Sequence, residues 1–136
     1  MKIKEIFLLV ISLHFSLISC SKNQKKNLDN LNLDTIVSGE LDPCECNKKS
    51  IILIEGATNI RKKFSKLSEL KSDKSAKESI RKIAETYSKL VEKCFTKNAS
   101  QLFIPSDCNN LDMIEKKQNE LLSLGIKINQ GSKVWK

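Results

Sequence analysis

The sequence predicts an all-α fold: a small three-helix bundle with disulfides at one pole, preceded by a signal peptide and a flexible tether. Three observations lead there. Apolar residues recur at helical spacing in three separate segments. Four cysteines flank those segments. A short uncharged run at the amino end is followed by a polar stretch poor in apolar residues. The implied organisation is a signal over residues 1–19, a tether over 20–41 and a disulfide-stapled helical domain over 42–136.

In the signal, Lys2 and Lys4 form a positive start, and Ile6 to Ile18 carries no formal charge. That run falls short of the roughly 20 apolar residues a membrane span needs. It matches the apolar region of a secretion signal. His14, the only histidine, lies within it. The segment ends in Leu17-Ile18-Ser19-Cys20, which resembles the lipobox of bacterial lipoproteins: a large apolar residue, a small residue at −1, then cysteine. Ile18 at −2 departs from the small residue commoner there. The resemblance covers about the first 20 residues. It implies cleavage before Cys20, a diacylglycerol on the Cys20 sulfur, and acylation of the new amino terminus by a fatty acid such as palmitate. Two or three acyl chains anchor durably where one holds only reversibly, so the resemblance makes the membrane a partner through a lipid anchor. Ser21, in place of the aspartate that retains such proteins in the inner membrane, leads us to expect the cell envelope at the outer membrane, on its periplasmic or surface face.

The tether follows. Residues 21–41 are rich in Asn, Lys and Asp, and fully extended they would reach about 70 Å. Within them Asp34-Thr35-Ile36 resembles a short envelope O-glycosylation signal. In the first helix, Leu53, Ala57, Ile60, Phe64 and Leu67 alternate steps of four and three and make one apolar face. Leu70-Lys71-Ser72-Asp73 reads as a short polar turn into an antiparallel second helix. There Ala76, Ile80, Ile83, Tyr87, Leu90 and Cys94 repeat the rhythm, and Ser75-Ala76-Lys77-Glu78 fits a capping box. On its outer face Glu78 precedes Lys82, and Glu85 precedes Lys89, by four residues, the spacing of stabilising ion pairs. Residues 96–110 form a longer connection. The third helix, from about Leu111, offers Leu111, Ile114, Leu121 and Leu124, with Gly125 placed as a left-handed cap and Ile126 as its apolar partner.

Four cysteines remain after Cys20, and an even count in a small exported domain reads as two disulfides. Zinc is the competing reading, disfavoured because no Cys-x2-Cys knuckle occurs. Cys44 and Cys46 precede the first helix, Cys94 ends the second and Cys108 precedes the third, so all four converge on one pole. A Cys44–Cys46 ring would be tight and strained. Of the two connectivities left, Cys46–Cys94 with Cys44–Cys108 is preferred, because Cys46 is nearer the helix start.

The formal charge is +8, which falls to +7 without the signal's two lysines and one glutamate. Residues 48–97 hold fourteen Lys/Arg against six acids. In an exported chain such a segment points to an anionic envelope component or an acidic protein rather than to nucleic acid. Arg61, Lys62 and Lys66 lie off the apolar face of the first helix, and Lys74, Lys77 and Arg81 gather on the second; merged across the hairpin they would form an anionic-surface contact. Without histidine after residue 14, Ser-His-Asp and Cys-His machinery and histidine-bound metals are excluded. No catalytic residue, metal or cofactor is assigned, and no enzyme is expected. The function expected is a lipid-anchored, non-enzymatic binding or scaffold module. Two alternatives are an inhibitor or immunity protein against an envelope-acting enzyme or toxin, and a thiol-disulfide redox protein using Cys44-Glu45-Cys46.

Overall fold

The computed structural model describes residues 32–131 and 133–136. The signal, the lipobox, Cys20 and residues 21–31 of the expected tether lie outside the described residues. Five helices run in the order α1 (Leu33–Ile36), α2 (Pro43–Arg61), α3 (Leu67–Ser72), α4 (Lys74–Asn98) and α5 (Leu111–Ser123), with 3-10 turns at Ala99–Phe103 and Ile128–Gln130. The long helices α2, α4 and α5 make the bundle, with α2 packed against both others. Among the described residues there is no strand, only an isolated antiparallel bridge between Ile126 and Trp135.

Helix α2 starts where Asp42 accepts a hydrogen bond from the Glu45 amide, at 2.8 Å, with Pro43 as its first residue. Carboxylate cap and preset proline φ both favour a helix start. Its buried residues, among them Asn47, Ser50, Leu53, Ile54, Ala57 and Ile60, are spread around the axis because α2 is covered on two sides. One apolar stripe therefore described it incompletely. The helix also ends earlier than that stripe: Phe64 follows its end and Leu67 begins α3. The expected turn at 70–73 is thus mostly helix, and Leu70 is fully buried rather than a loop residue. A six-residue helix is too short to display a period, so a polar composition was all the sequence offered.

Helix α4 begins after Asp73, whose carboxylate accepts from the Ala76 amide at 2.8 Å; this, rather than Ser75 with Glu78, is the cap. Its expected core face is buried from Ile80 through Ile83, Tyr87 and Leu90 to Cys94. The Tyr87 hydroxyl accepts from Gln118 of α5 at 2.6 Å. Helix α5 closes in a Schellman cap: the Ile126 amide bonds the Leu121 carbonyl at 3.2 Å, and the Gly125 amide bonds that of Leu122 at 3.0 Å. Gly125 has φ +90°, and Leu121 and Ile126 are buried together. Beyond it Val134 is buried, and Lys71 lies 5.6 Å from the ring centre of Trp135.

Residues 33–41, assigned to the tether, are packed on the domain. Ile36 and Leu41 are buried, Lys93 donates to the Val37 carbonyl at 3.2 Å, and Asn98 donates to that of Leu41 at 2.7 Å. Sparse apolar residues were enough here because α4 supplies a surface for them. Thr35 is exposed on α1, with its hydroxyl donating to the Asn32 carbonyl at 2.8 Å.

Candidate functional site

The bundle has two unlike ends. At one, the start of α2 meets the end of α4 and the segment before α5, and the four cysteines pair there: Cys46 with Cys94, Cα atoms 6.1 Å apart, and Cys44 with Cys108, Cα atoms 5.0 Å apart. Cys44 and Cys46 are thus bonded to different partners and not to each other. Three asparagines complete this end. Asn109, buried, donates to the Leu102 and Ile104 carbonyls at 3.0 and 2.9 Å and accepts from Asn47 at 3.3 Å. Asn98, in the sequence Asn98-Ala99-Ser100, donates to the carbonyls of Leu41 and Cys94. Sequence reasoning missed these residues, because an asparagine that satisfies buried carbonyls has the same letters around it as one in a loop. Outside the bridges, the same end carries exposed apolar residues: Phe95 and Phe103 meet edge to face at 6.4 Å, and Val91, one turn before Phe95, and Ile104, next to Phe103, are exposed too.

At the other end, the last turn of α2, the link through α3 and the first half of α4 gather charge. Residues 61–82 hold nine Lys/Arg against three acids, a net +6. The six expected contact residues part company here. Arg61 is half-buried: its Nε donates to the Leu124 carbonyl at 2.9 Å and a terminal nitrogen to that of Phe64 at 2.7 Å. It neutralises the carbonyl end of α5, where a cation is favoured, and is not free for a ligand. Lys62 pairs with Glu120 of α5 at 2.7 Å. The bond to Lys62 and its charge, with those of Lys117 and Lys116 further off, hold the Glu120 carboxyl below the usual carboxylate range. Lys66, Lys74 and Arg81 are exposed and Lys77 is half-exposed. Four of the six are therefore available, on one end of the molecule.

The outer-face pairs expected on α4 do not close: neither Glu78–Lys82 nor Glu85–Lys89 is among the ion pairs, which in the described residues join Lys48 to Glu45, Lys62 to Glu120 and Lys117 to Glu55. The last of these ties Glu55 of α2 across to α5 at 2.7 Å.

Lys82 instead stands beside a half-open groove of about 470 Å³ between the start of α1, the end of α2 and the first half of α4. Its apolar lining is Leu33, Ile60, Phe64, Ala76 and Ile83. Its polar lining is Lys63, Asp73, Ser75, Ser79 and Lys82. Phe64 and Leu33 were read as core stripe and tether, and Lys82 as half of an ion pair. Leu33 joins the groove because α1 lies across α4, a contact with no local sequence signal.

Among the described residues, no group of three or more His, Cys, Asp or Glu is placed to hold a metal ion. No described helix is long and apolar enough to cross a membrane. No family model, curated protein or solved structure matches this chain.

Proposed function

We propose that this protein is a lipid-anchored, non-enzymatic binding module of the bacterial cell envelope, whose basic end engages an anionic envelope surface. The observation that carries the reading is where the chain enters the domain. Asn32 and Leu33 lie against the middle of α4, beside Lys82, Glu85 and Lys89, and Leu33 also borders the groove lined by Lys63 of the basic end. A chain arriving from a lipidated Cys20 has 12 residues to span, at most about 40 Å. Such a tether would hold the +6 end within reach of the membrane. Exposed charge at that distance attracts anionic head groups, at about 1 kcal/mol per Lys/Arg near the surface.

The test has two arms. In cells, Cys20→Ala should leave an unprocessed, unlipidated species that stays out of the detergent phase; normal maturation of that variant would remove the anchor from the reading. In vitro, the soluble chain from Ser21 should co-sediment with phosphatidylglycerol-containing vesicles, lose that binding steeply between 50 and about 300 mM salt as screening shortens to a few ångströms, and ignore neutral vesicles. Lys74→Glu, Lys77→Glu and Arg81→Glu together should weaken it at least tenfold. Equal binding to neutral vesicles, or no loss in the triple variant, would overturn the surface reading.

One observation favours the inhibitor or immunity alternative: the exposed Val91, Phe95, Phe103 and Ile104 at the disulfide end, since aromatic residues anchor protein interfaces. A stable complex in envelope extract that Phe95→Ser with Phe103→Ser abolishes, and that the charge-reversed triple variant retains, would move the assignment there.

A further inference from the structure

We infer that the groove between α1, α2 and α4 is a binding site for a single-chain anionic amphiphile, an acyl chain bearing a carboxylate or phosphate head. This goes beyond surface attraction and does not depend on the chain being anchored.

Ile60 and Ile83 belong to the buried core and form the floor of the groove, and Phe64, Ala76 and Leu33 are half-buried beside them. A soluble domain that leaves an aromatic ring, a leucine and an alanine converging on one hollow keeps apolar area in contact with water, and an acyl chain laid there removes it, at about 25 cal/mol per Å². The volume, about 470 Å³, falls in the range of small-ligand sites, roughly 300–1,000 Å³. It is a pocket for one molecule rather than a face for a bilayer or a second domain.

The rim decides the head group. Lys63 and Lys82 both line the groove, are exposed, and make no ion pair among the described residues. Asp73 is the one acid among the lining residues, and its Oδ1 is committed to the Ala76 amide at the start of α4. Ser79 donates its hydroxyl proton to the Ser75 carbonyl, which leaves its oxygen as an acceptor only. The charged donors free to meet a head group are thus two ammonium groups above an apolar floor, with the exposed Ser75 hydroxyl beside them. Low-dielectric walls concentrate their field, and ammonium–carboxylate or ammonium–phosphate hydrogen bonds are the stronger, charge-assisted kind. An uncharged lipid of equal length would use the floor and leave the rim unanswered, so the site discriminates by head charge.

The buried core residues and both disulfides fall between residues 36 and 134 of the chain, so the soluble chain from Ser21 retains the groove and is the material to test. Titration with palmitate and with hexadecyl phosphate, both below micelle formation and at low salt, should give saturable binding of one molecule per chain by calorimetry. Amide NMR shifts should centre on Phe64, Ala76, Lys82 and Ile83. Hexadecanol should bind at least tenfold more weakly, and inorganic phosphate should not compete at the same concentration. Lys63→Glu with Lys82→Glu should cut palmitate affinity at least tenfold and leave hexadecanol unchanged; Ala76→Trp should block both. If Ala76→Trp does not fold, the charge-reversed pair and the hexadecanol comparison decide alone. Binding that is not saturable, equal affinity for palmitate and hexadecanol, or shifts centred on Phe95 and Phe103 would overturn the site. Failure here is distinct from failure of the surface reading. The Lys74, Lys77 and Arg81 reversal should spare palmitate binding, and Ala76→Trp, which changes no charge, should abolish it with vesicle binding retained.

Discussion

At the scale of single residues, conformation and protonation are held by a few side chains with specific neighbours. Gly125 combines a φ of +90° with close approach: a Cβ there would sit 2.6 Å from the end of the Leu67 side chain. Gly125→Ala should therefore destabilise the fold by about 2 kcal/mol, since the left-handed backbone alone costs an L-residue roughly 1–2 kcal/mol. The loss should read as a melting temperature lower by about 8 °C or more, and an unchanged midpoint would contradict the cap. Tyr87, the only tyrosine, offers a second check. Burial raises its pKa above 10, opposed by hydrogen bonds from Gln118 and Ser50. The folded phenol thus keeps its proton to higher pH than the unfolded one. Its contribution is fully present below pH 10 and is lost as pH rises through the folded pKa. Phenolate absorbance should appear above pH 10 in the native protein, with stability falling in the same interval. Gln118→Leu, which removes a donor to the oxygen, should push the titration higher still.

Elements are joined by covalent and polar staples of unequal exposure. The Cys46–Cys94 bridge ties α2 to α4, with both residues under 5 % exposed. The Cys44–Cys108 bridge ties α2 to the segment before α5, and Cys108 is exposed. Each bridge spans 48 or 64 residues of chain and so restricts the unfolded state by about 4 kcal/mol in the chain-entropy model. Mild reductant should open Cys44–Cys108 first, giving a folded species whose alkylated thiols map to those two positions. Full reduction should lower the melting temperature by at least about 10 °C. Alkylation at Cys46 and Cys94 before the other pair would contradict the burial order. The 99–110 connection relies on Asn109 as well, since its amide serves two carbonyls of that segment that would otherwise lose a partner.

Over the whole molecule, charge and apolar surface are divided between the ends. The basic excess of residues 61–82 and the groove share one end, with the chain entering along the middle of α4; the disulfides and the exposed phenylalanines share the other. That division makes the charge-reversal experiments informative. Lys74, Lys77 and Arg81 lie on the exposed side of α4 and Arg61 does not, so Arg61→Glu should unfold or loosen the α2–α5 junction, whereas reversal of the other three should leave the melting temperature within a few degrees. A stable Arg61→Glu protein would show that the Leu124 and Phe64 carbonyls do not depend on it.

The sequence by itself determined the helical class, the three long helices, the pole at which the cysteines meet and the glycine cap of α5. Each of these is written in spacing: a period near 3.6 in the apolar residues, cysteines at helix ends, and a glycine followed by an apolar residue. Only the tertiary structure decided the rest. Which charges are free depends on partners dozens of residues away, as Leu124 for Arg61, Glu120 for Lys62 and Lys117 for Glu55. The short helices α1 and α3 escape a pattern reading because one or two turns carry no period, and α4 and α5 supply the surfaces that hold Ile36, Leu70 and Leu67. The groove gains Leu33 from that docking. Its residues come from segments that the sequence read separately as tether, core face and solvated face, and nothing short of the packed fold places them around one hollow.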